Sequence, residues 1–213
     1  MYVMKYTLDD HFKNFTQVLK LSHLETIRLQ SLIKLHPQIN WRDAIGPSQI
    51  ASKQLLLSYL KDWSSRNLEV VSVGGWIGLT EYLLHKNNLI RKRHVNLELD
   101  NLARRVSYQL NVDSKDYISL HLDAHNFNYE IEDLVVINSS CEHIERFSDW
   151  YNLIPAGTRC ILQSNNMFGI EGHINCHTSL SEFQSSVPMR QLQYAKALDI
   201  GQNWTRFTVV GIK

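Results

Sequence analysis

The chain has 213 residues, 44% of them hydrophobic, enough to bury one sizeable core. Its 22 Lys and Arg nearly balance 21 Asp and Glu, which excludes a global field drawing it onto nucleic acid or an anionic membrane. The opening MYVMKYTLDDHFKNFTQVLK is charged throughout, with neither a signal-peptide core nor a spanning run, and Cys141, Cys160 and Cys176 are an odd number at wide spacing; the expectation is a cytoplasmic protein with reduced thiols.

Apolar residues recur at three-to-four spacing in LDDHFKNFTQVLKL and LETIRLQSLIKL, which predicts interrupted helices over residues 1 to about 65. Pro37 and Gly46-Pro47-Ser48 punctuate this stretch before SKQLLLSYLKDW resumes as a helix. Residues 1–50 read as a helical cap or flank and 51–213 as the main domain, the whole making one globular unit. From Leu68 the pattern changes to short apolar runs: LEVVSV, HVNLEL, YISLHL, DLVVIN, TRCILQS, then two late ones near 190–199 and 203–212. Strands of this length fit a buried sheet. Between the first three lie IGLTEYLLHK and NLARRVSYQL, whose spacing is helical, so strand and helix alternate and a parallel sheet with right-handed crossovers is expected. The last two runs, parted only by Gly201-Gln202-Asn203, leave no room for a crossover helix and predict an antiparallel hairpin.

The turn after the first strand, VVSVGGWIGLTEYLL, places Gly74, Gly75 and Gly78 ahead of a helix, where glycine lets backbone approach a ligand and helix-start amides are free to bind it. The same glycines serve packing in proteins that bind nothing. The second strand ends in Glu98-Leu99-Asp100, and a carboxylate there can accept hydrogen bonds from both ribose hydroxyls of a nucleoside; Asp100 suits a helix start equally well. GHINCH brings His173, Cys176 and His177 close, yet the paired ladders of a structural zinc site and a helical HExxH are both absent, so no metal is expected. Arg91-Lys92-Arg93-His94 reads as a solvated charged turn on the edge opposite the ligand side.

With these parts in order, residues 52 to 213 resemble the class I S-adenosylmethionine-dependent methyltransferases of the small-molecule branch. VVSVGGWIG resembles the family's first motif, ELD its acidic second strand, and Asp123 in LHLDAH its acid after the third strand. DLVVINSSCEHI resembles the fourth-strand segment with its Glu-His pair, and NLIPAGTRCILQSNN the turn into the fifth strand, with Pro155-Ala156-Gly157 for the usual Pro-Gly-Gly. The resemblance implies a Rossmann-like α/β fold: a seven-stranded sheet, mostly parallel, with an antiparallel C-terminal hairpin and helices on both faces. It implies S-adenosylmethionine as cofactor, with Gly74, Gly75 and Gly78 against the methionine part, Trp76 beside them, Glu98 on the ribose, Asp123 and the Ala124 backbone at the adenine, and Asn138 and Ser139 lining the reaction chamber. The chain departs from the family at Ser72, where an acid is usual, and at Trp76, where a glycine is frequent. The antiparallel ending, Glu142-His143 and the Pro-Ala-Gly turn decide against a dinucleotide-binding protein.

Methyl transfer from a sulfonium chiefly requires holding donor and acceptor in line, and a hydroxyl or ammonium acceptor must also lose a proton. His143, beyond the fourth strand, is the first candidate for that base, with Asn138 in the chamber beside it and His173 as second choice. Cys141 lacks an orienting group for a nucleophilic role. The expected partner is a small-molecule methyl acceptor, covered by the N-terminal helices and the loop 165–178, with neither membrane nor nucleic acid. A macromolecular acceptor and a non-catalytic binding or assembly protein are the alternatives. The Asn-Pro-Pro-aromatic signature of amino-group methylation is replaced by Asn138-Ser139-Ser140-Cys141.

Overall fold

The computed structural model describes residues 6–63, 67–89, 92–201 and 203–213; Arg91 and Gln202, named above, lie outside them, as do the first five residues of the opening stretch. Seven strands, β1 (Glu69–Val73), β2 (His94–Leu97), β3 (Tyr117–Leu120), β4 (Leu134–Asn138), β5 (Arg159–Asn165), β6 (Gln191–Gly201) and β7 (Trp204–Ile212), form one sheet in the order β3-β2-β1-β4-β5-β7-β6. The first five run parallel, and β7 lies antiparallel to both β5 and β6. The expected mostly parallel sheet with a closing hairpin is therefore what the chain builds.

Alternation along the central strands sorts their side chains to two cores. Val70, Val135, Ile137, Ile161 and Val210 face one side, where they meet helices α1 (Leu8–Val18), α2 (His23–Leu35), α4 (Pro47–Lys61), α5 (Leu79–Lys86) and α6 (Asn101–Leu110). Val71, Val73, Val136, Leu162 and Val209 face the other, against α7 (Phe147–Leu153) and α8 (Leu180–Ser186), whose Trp150 and Phe183 are fully buried. Burial on both faces explains why β1 and β4 read as continuous apolar runs. α7 and α8 have seven residues each, about two turns, too short for a helical period to stand out in sequence.

A short α3 (Trp41–Ala44) links α2 to α4, and the 50/51 division falls inside α4, whose Pro47 occupies the first helical turn. The N-terminal helices share one core with the sheet, Phe15, Leu29 and Leu32 joining the cluster that holds Val70 and Val135. His94 corrects the reading of the charged turn: it is fully buried in β2, while Arg93 pairs with Glu69 on β1.

Glu25 ties α2 to the sheet's helices. As the third residue of a capping box it accepts the Ser22 amide, and it also accepts from Lys86 Nζ at 2.7 Å and from the Tyr82 hydroxyl on α5. Burial alone would push this carboxyl up, but Lys86, Tyr82 and Ser22 together pull it down to about 2 from 4.5. A depressed folded-state value means that the clamp stabilises fully above the unfolded value and is lost as pH falls toward about 2. Denaturant unfolding across that window should show the wild type losing stability that Glu25→Gln no longer has to lose. Parallel pH profiles for the two would contradict the clamp.

Candidate functional site

Between Val73 and α5 the chain makes a tight turn in which Gly74, Trp76 and Gly78 all have positive φ, at +62°, +51° and +74°. A Cβ on Gly74 would meet nothing within 4 Å, because the turn opens there onto a cavity. At Gly75 a Cβ would collide with Asn96 Oδ1 and Glu81 Oε1, so glycine is needed for the close approach of backbone to β2 and α5. The Gly75 amide donates to Asn96 Oδ1 at 3.1 Å, and the Trp76 amide donates to Glu98 Oε2 at 2.8 Å. Glu98 Oε1 accepts the Asp100 amide at 2.8 Å. Glu98 thus stands at the end of β2 with each oxygen on one backbone amide and further lone pairs left on both. Burial raises its carboxyl above the ordinary value, and the Asp100 and Trp76 amides oppose the rise.

The cavity measures about 590 Å³ and lies at the C-terminal ends of β1, β2 and β4. In the strand order this is where direction of winding reverses, between β1 and β4, the place where open α/β sheets receive ligands. Of the residues named from the sequence, Gly74, Gly75, Trp76, Glu98, Ser139 and His143 line it. The structure does not bring the remaining expected residues to its wall. Gly78 caps α5 and packs against α6, where a Cβ would collide with Ser107 and Asn111. Asn138 is fully buried beneath the wall, its Oδ1 accepting the Ser140 amide and shaping the turn that presents Ser139 and Ser140. Asp123 caps a short 3-10 turn, accepting the His125 amide, and Ala124 is buried in the second core. Cys141 is fully buried and burial pushes its thiol well up, so it has no nucleophile's character.

Two cationic residues in the wall were not singled out from sequence. Lys53 reaches in from α4 and donates to Ser139 Oγ at 3.0 Å; Arg206 reaches in from β7 and donates to the Ser139 carbonyl at 2.8 Å. Burial, then Arg206, holds the Lys53 ammonium below its usual range, while Glu81 and Glu142 oppose the shift. Ser139 is 86 and 67 residues away from them in sequence, a separation that leaves no local signal. Glu81 is the other unforeseen member. It is fully buried under Gly75, and burial raises its carboxyl. Ser72, the departure noted in the first motif, faces this same buried polar layer and pairs with His94 Nε2 at 2.8 Å. A carboxyl beneath the glycine turn is thus carried by α5 rather than by β1.

At the far end of the cavity Glu142, His143 and His173 converge, the last from the loop after β5. The His143 and His173 rings meet edge to face, 4.6 Å between centroids. Burial, with His143 adding to it, lowers His173 below the usual imidazole value against the pull of Glu142.

No model of a known protein family matches the sequence, and no curated protein is similar to it by sequence. Solved structures do match in three dimensions. The N-methyltransferase NodS from Bradyrhizobium japonicum WM9, in complex with S-adenosyl-L-homocysteine, superposes with a TM-score of 0.63 at 13% identity, covering 86% of this chain and 98% of that one. The geranyl diphosphate C-methyltransferase from Streptomyces coelicolor A3(2) gives 0.56 at 10% identity, covering 75% and 77%. The [4+2]-cyclase SpnF gives 0.59 at 7% identity, covering 78% and 82%. Likeness at such identity establishes a shared fold.

Proposed function

We propose that this chain, which has the class I methyltransferase fold, binds S-adenosylmethionine in the cavity at the C-terminal ends of β1, β2 and β4 and transfers its methyl group to a small molecule. One observation carries the reading: the glycine turn opens onto that cavity at the reversal point of the sheet, with the half-buried Glu98 carboxylate beside it. The ribose hydroxyls take the free lone pairs of Glu98 and the methionine part lies along Gly74 and Gly75. The adenine extends toward Asp123, since β3 adjoins β2 and the Glu98 amide donates to the Leu120 carbonyl at 3.0 Å. Trp76, Lys53 and Ser139 close the methionine end.

The ligands of the matched structures support the cofactor, since NodS was solved with S-adenosyl-L-homocysteine and the geranyl diphosphate enzyme with the same compound. A cavity of about 590 Å³ is of the size that small-molecule sites have, which favours a small acceptor over a macromolecule. No helix among the described residues is long and apolar enough to cross a membrane. The free thiols of Cys141, Cys160 and Cys176 suit the reducing cytoplasm that this reading assigns. A second reading, a non-catalytic chain that keeps the fold, draws on Trp76, which stands in the cavity wall where the family often has a glycine.

Calorimetric titration with S-adenosylmethionine, S-adenosylhomocysteine and, as control, NADH separates these readings at their common premise. The expected result is micromolar binding of the first two and none of the third. No binding of either adenosyl compound would overturn the cofactor assignment and with it the methyltransferase reading.

A further inference from the structure

We propose that Glu142, His143 and His173 form a binding site for one divalent transition-metal ion at the acceptor end of the cavity. Each offers one ligand atom, and the three atoms lie within 4.8 Å of one another. Two imidazoles and a carboxylate with an open side are a donor set suited to Zn²⁺, Fe²⁺ or Co²⁺.

Supporting contacts orient two of the three donors, Glu142 and His143. Glu142 is 2% exposed; its Oε1 accepts from Asn165 Nδ2 at 2.7 Å, while its buried Oε2 has no hydrogen-bond partner. A buried carboxylate oxygen without a partner is costly, and a cation relieves it. His143 Nδ1 is 2.9 Å from the Gly172 carbonyl, which can only accept, so Nδ1 carries the proton and Nε2 the lone pair. A ring nitrogen held by a carbonyl while the other stays open is the arrangement that metal-bound histidines show. Of the nearby cations, Lys53 and Arg206 each donate to Ser139 rather than to Glu142, Arg206 keeping a buried Nε without a partner. Metal–donor bonds of about 2.1 Å would need the three atoms roughly 3.4 Å apart. His173 is half-buried, so rotation of its side chain, with His143 pivoting about its bond to the Gly172 carbonyl, closes that gap.

The consequence deepens the proposed function and rests on it. An acceptor hydroxyl bound at the ion's open side is acidified. It gives its proton to water, its oxygen bonds to the methyl carbon, and the carbon–sulfur bond breaks to release the neutral thioether. The lone pair of His143 is then committed to the metal, so His143 acts as a ligand and the proton-acceptor role expected of it passes to solvent.

The test uses the full chain, freed of metal with a chelator and then titrated with Zn²⁺ by calorimetry and with Co²⁺ by visible absorption, with S-adenosylhomocysteine affinity measured on the same samples. One equivalent should bind at about micromolar Kd or tighter. Glu142→Gln, which keeps an oxygen for Asn165, and His173→Ala should each weaken it at least about tenfold, and Cys176→Ser should leave it unchanged. Stoichiometric binding that survives both ligand variants, or no binding better than about 100 μM, overturns the site. Because the cofactor is titrated separately, metal binding without S-adenosylhomocysteine binding would overturn the acceptor role alone, and the reverse would overturn the metal while leaving the methyltransferase reading intact.

Discussion

Glu98→Ala is expected to weaken S-adenosylhomocysteine binding by about 100-fold or more. The ribose hydroxyls would each donate to an ionised acceptor, and charge-assisted hydrogen bonds contribute about 1.5–3 kcal/mol apiece; losing two of them corresponds to at least two decades in Kd. The same substitution strips the Trp76 and Asp100 amides of their acceptor, costing about 1–3 kcal/mol of stability, which a domain of ordinary stability survives. Circular dichroism should therefore show a folded protein. The raised carboxyl adds a pH signature, because binding needs the ionised form. Affinity for the wild type should fall as pH drops through that raised value, which lies above the ordinary 4.5, and Glu98→Gln should remove this dependence while remaining weak throughout. An unchanged Kd for Glu98→Ala would remove Glu98 from the site.

The glycines give the second large effect, with opposite signatures at two positions four residues apart. Gly78→Ala forces a side chain into φ +74° and drives its Cβ into Ser107 and Asn111 between α5 and α6. Left-handed backbone costs about 1–2 kcal/mol and overpacking about 1–3 more, so a loss of about 3 kcal/mol, or roughly 6–12 °C in Tm, is expected. Gly74→Ala pays only the backbone cost, since its Cβ enters open cavity. Its damage should fall on cofactor affinity instead. Thermal melts and titrations of both variants check the contrast; equal loss of Tm in the two would contradict the division of labour between packing and binding.

The sheet was legible because its central strands, buried on both faces, are written as mainly apolar runs, and because the gap after Gly201 is too short for a crossover. The glycine turn and Glu98 were legible for a related reason: local backbone demands leave local residues. What stayed hidden is what folding assembles from afar. Lys53 sits on α4 in an ordinary helical stretch, and Arg206 near the start of β7, yet both end on Ser139. Gly78 illustrates the converse error, since a glycine required by helix packing looks, in sequence, like one required by a ligand. The expectation of no metal rested on ligand spacing along the chain, whereas Glu142 and His143 meet His173 only because the loop after β5 folds back, the His173 and Asn165 segment returning Ile174 and Asn175 amides to the Glu142 carbonyl.

If the adenosyl group occupies the cavity beside the glycine turn, a crystal structure with S-adenosylhomocysteine will show it there. The ribose hydroxyls should lie within hydrogen-bond distance of the Glu98 carboxylate and the homocysteine chain along Gly74 and Gly75. Density for the ligand anywhere else, or a ribose that leaves Glu98 untouched, would contradict it.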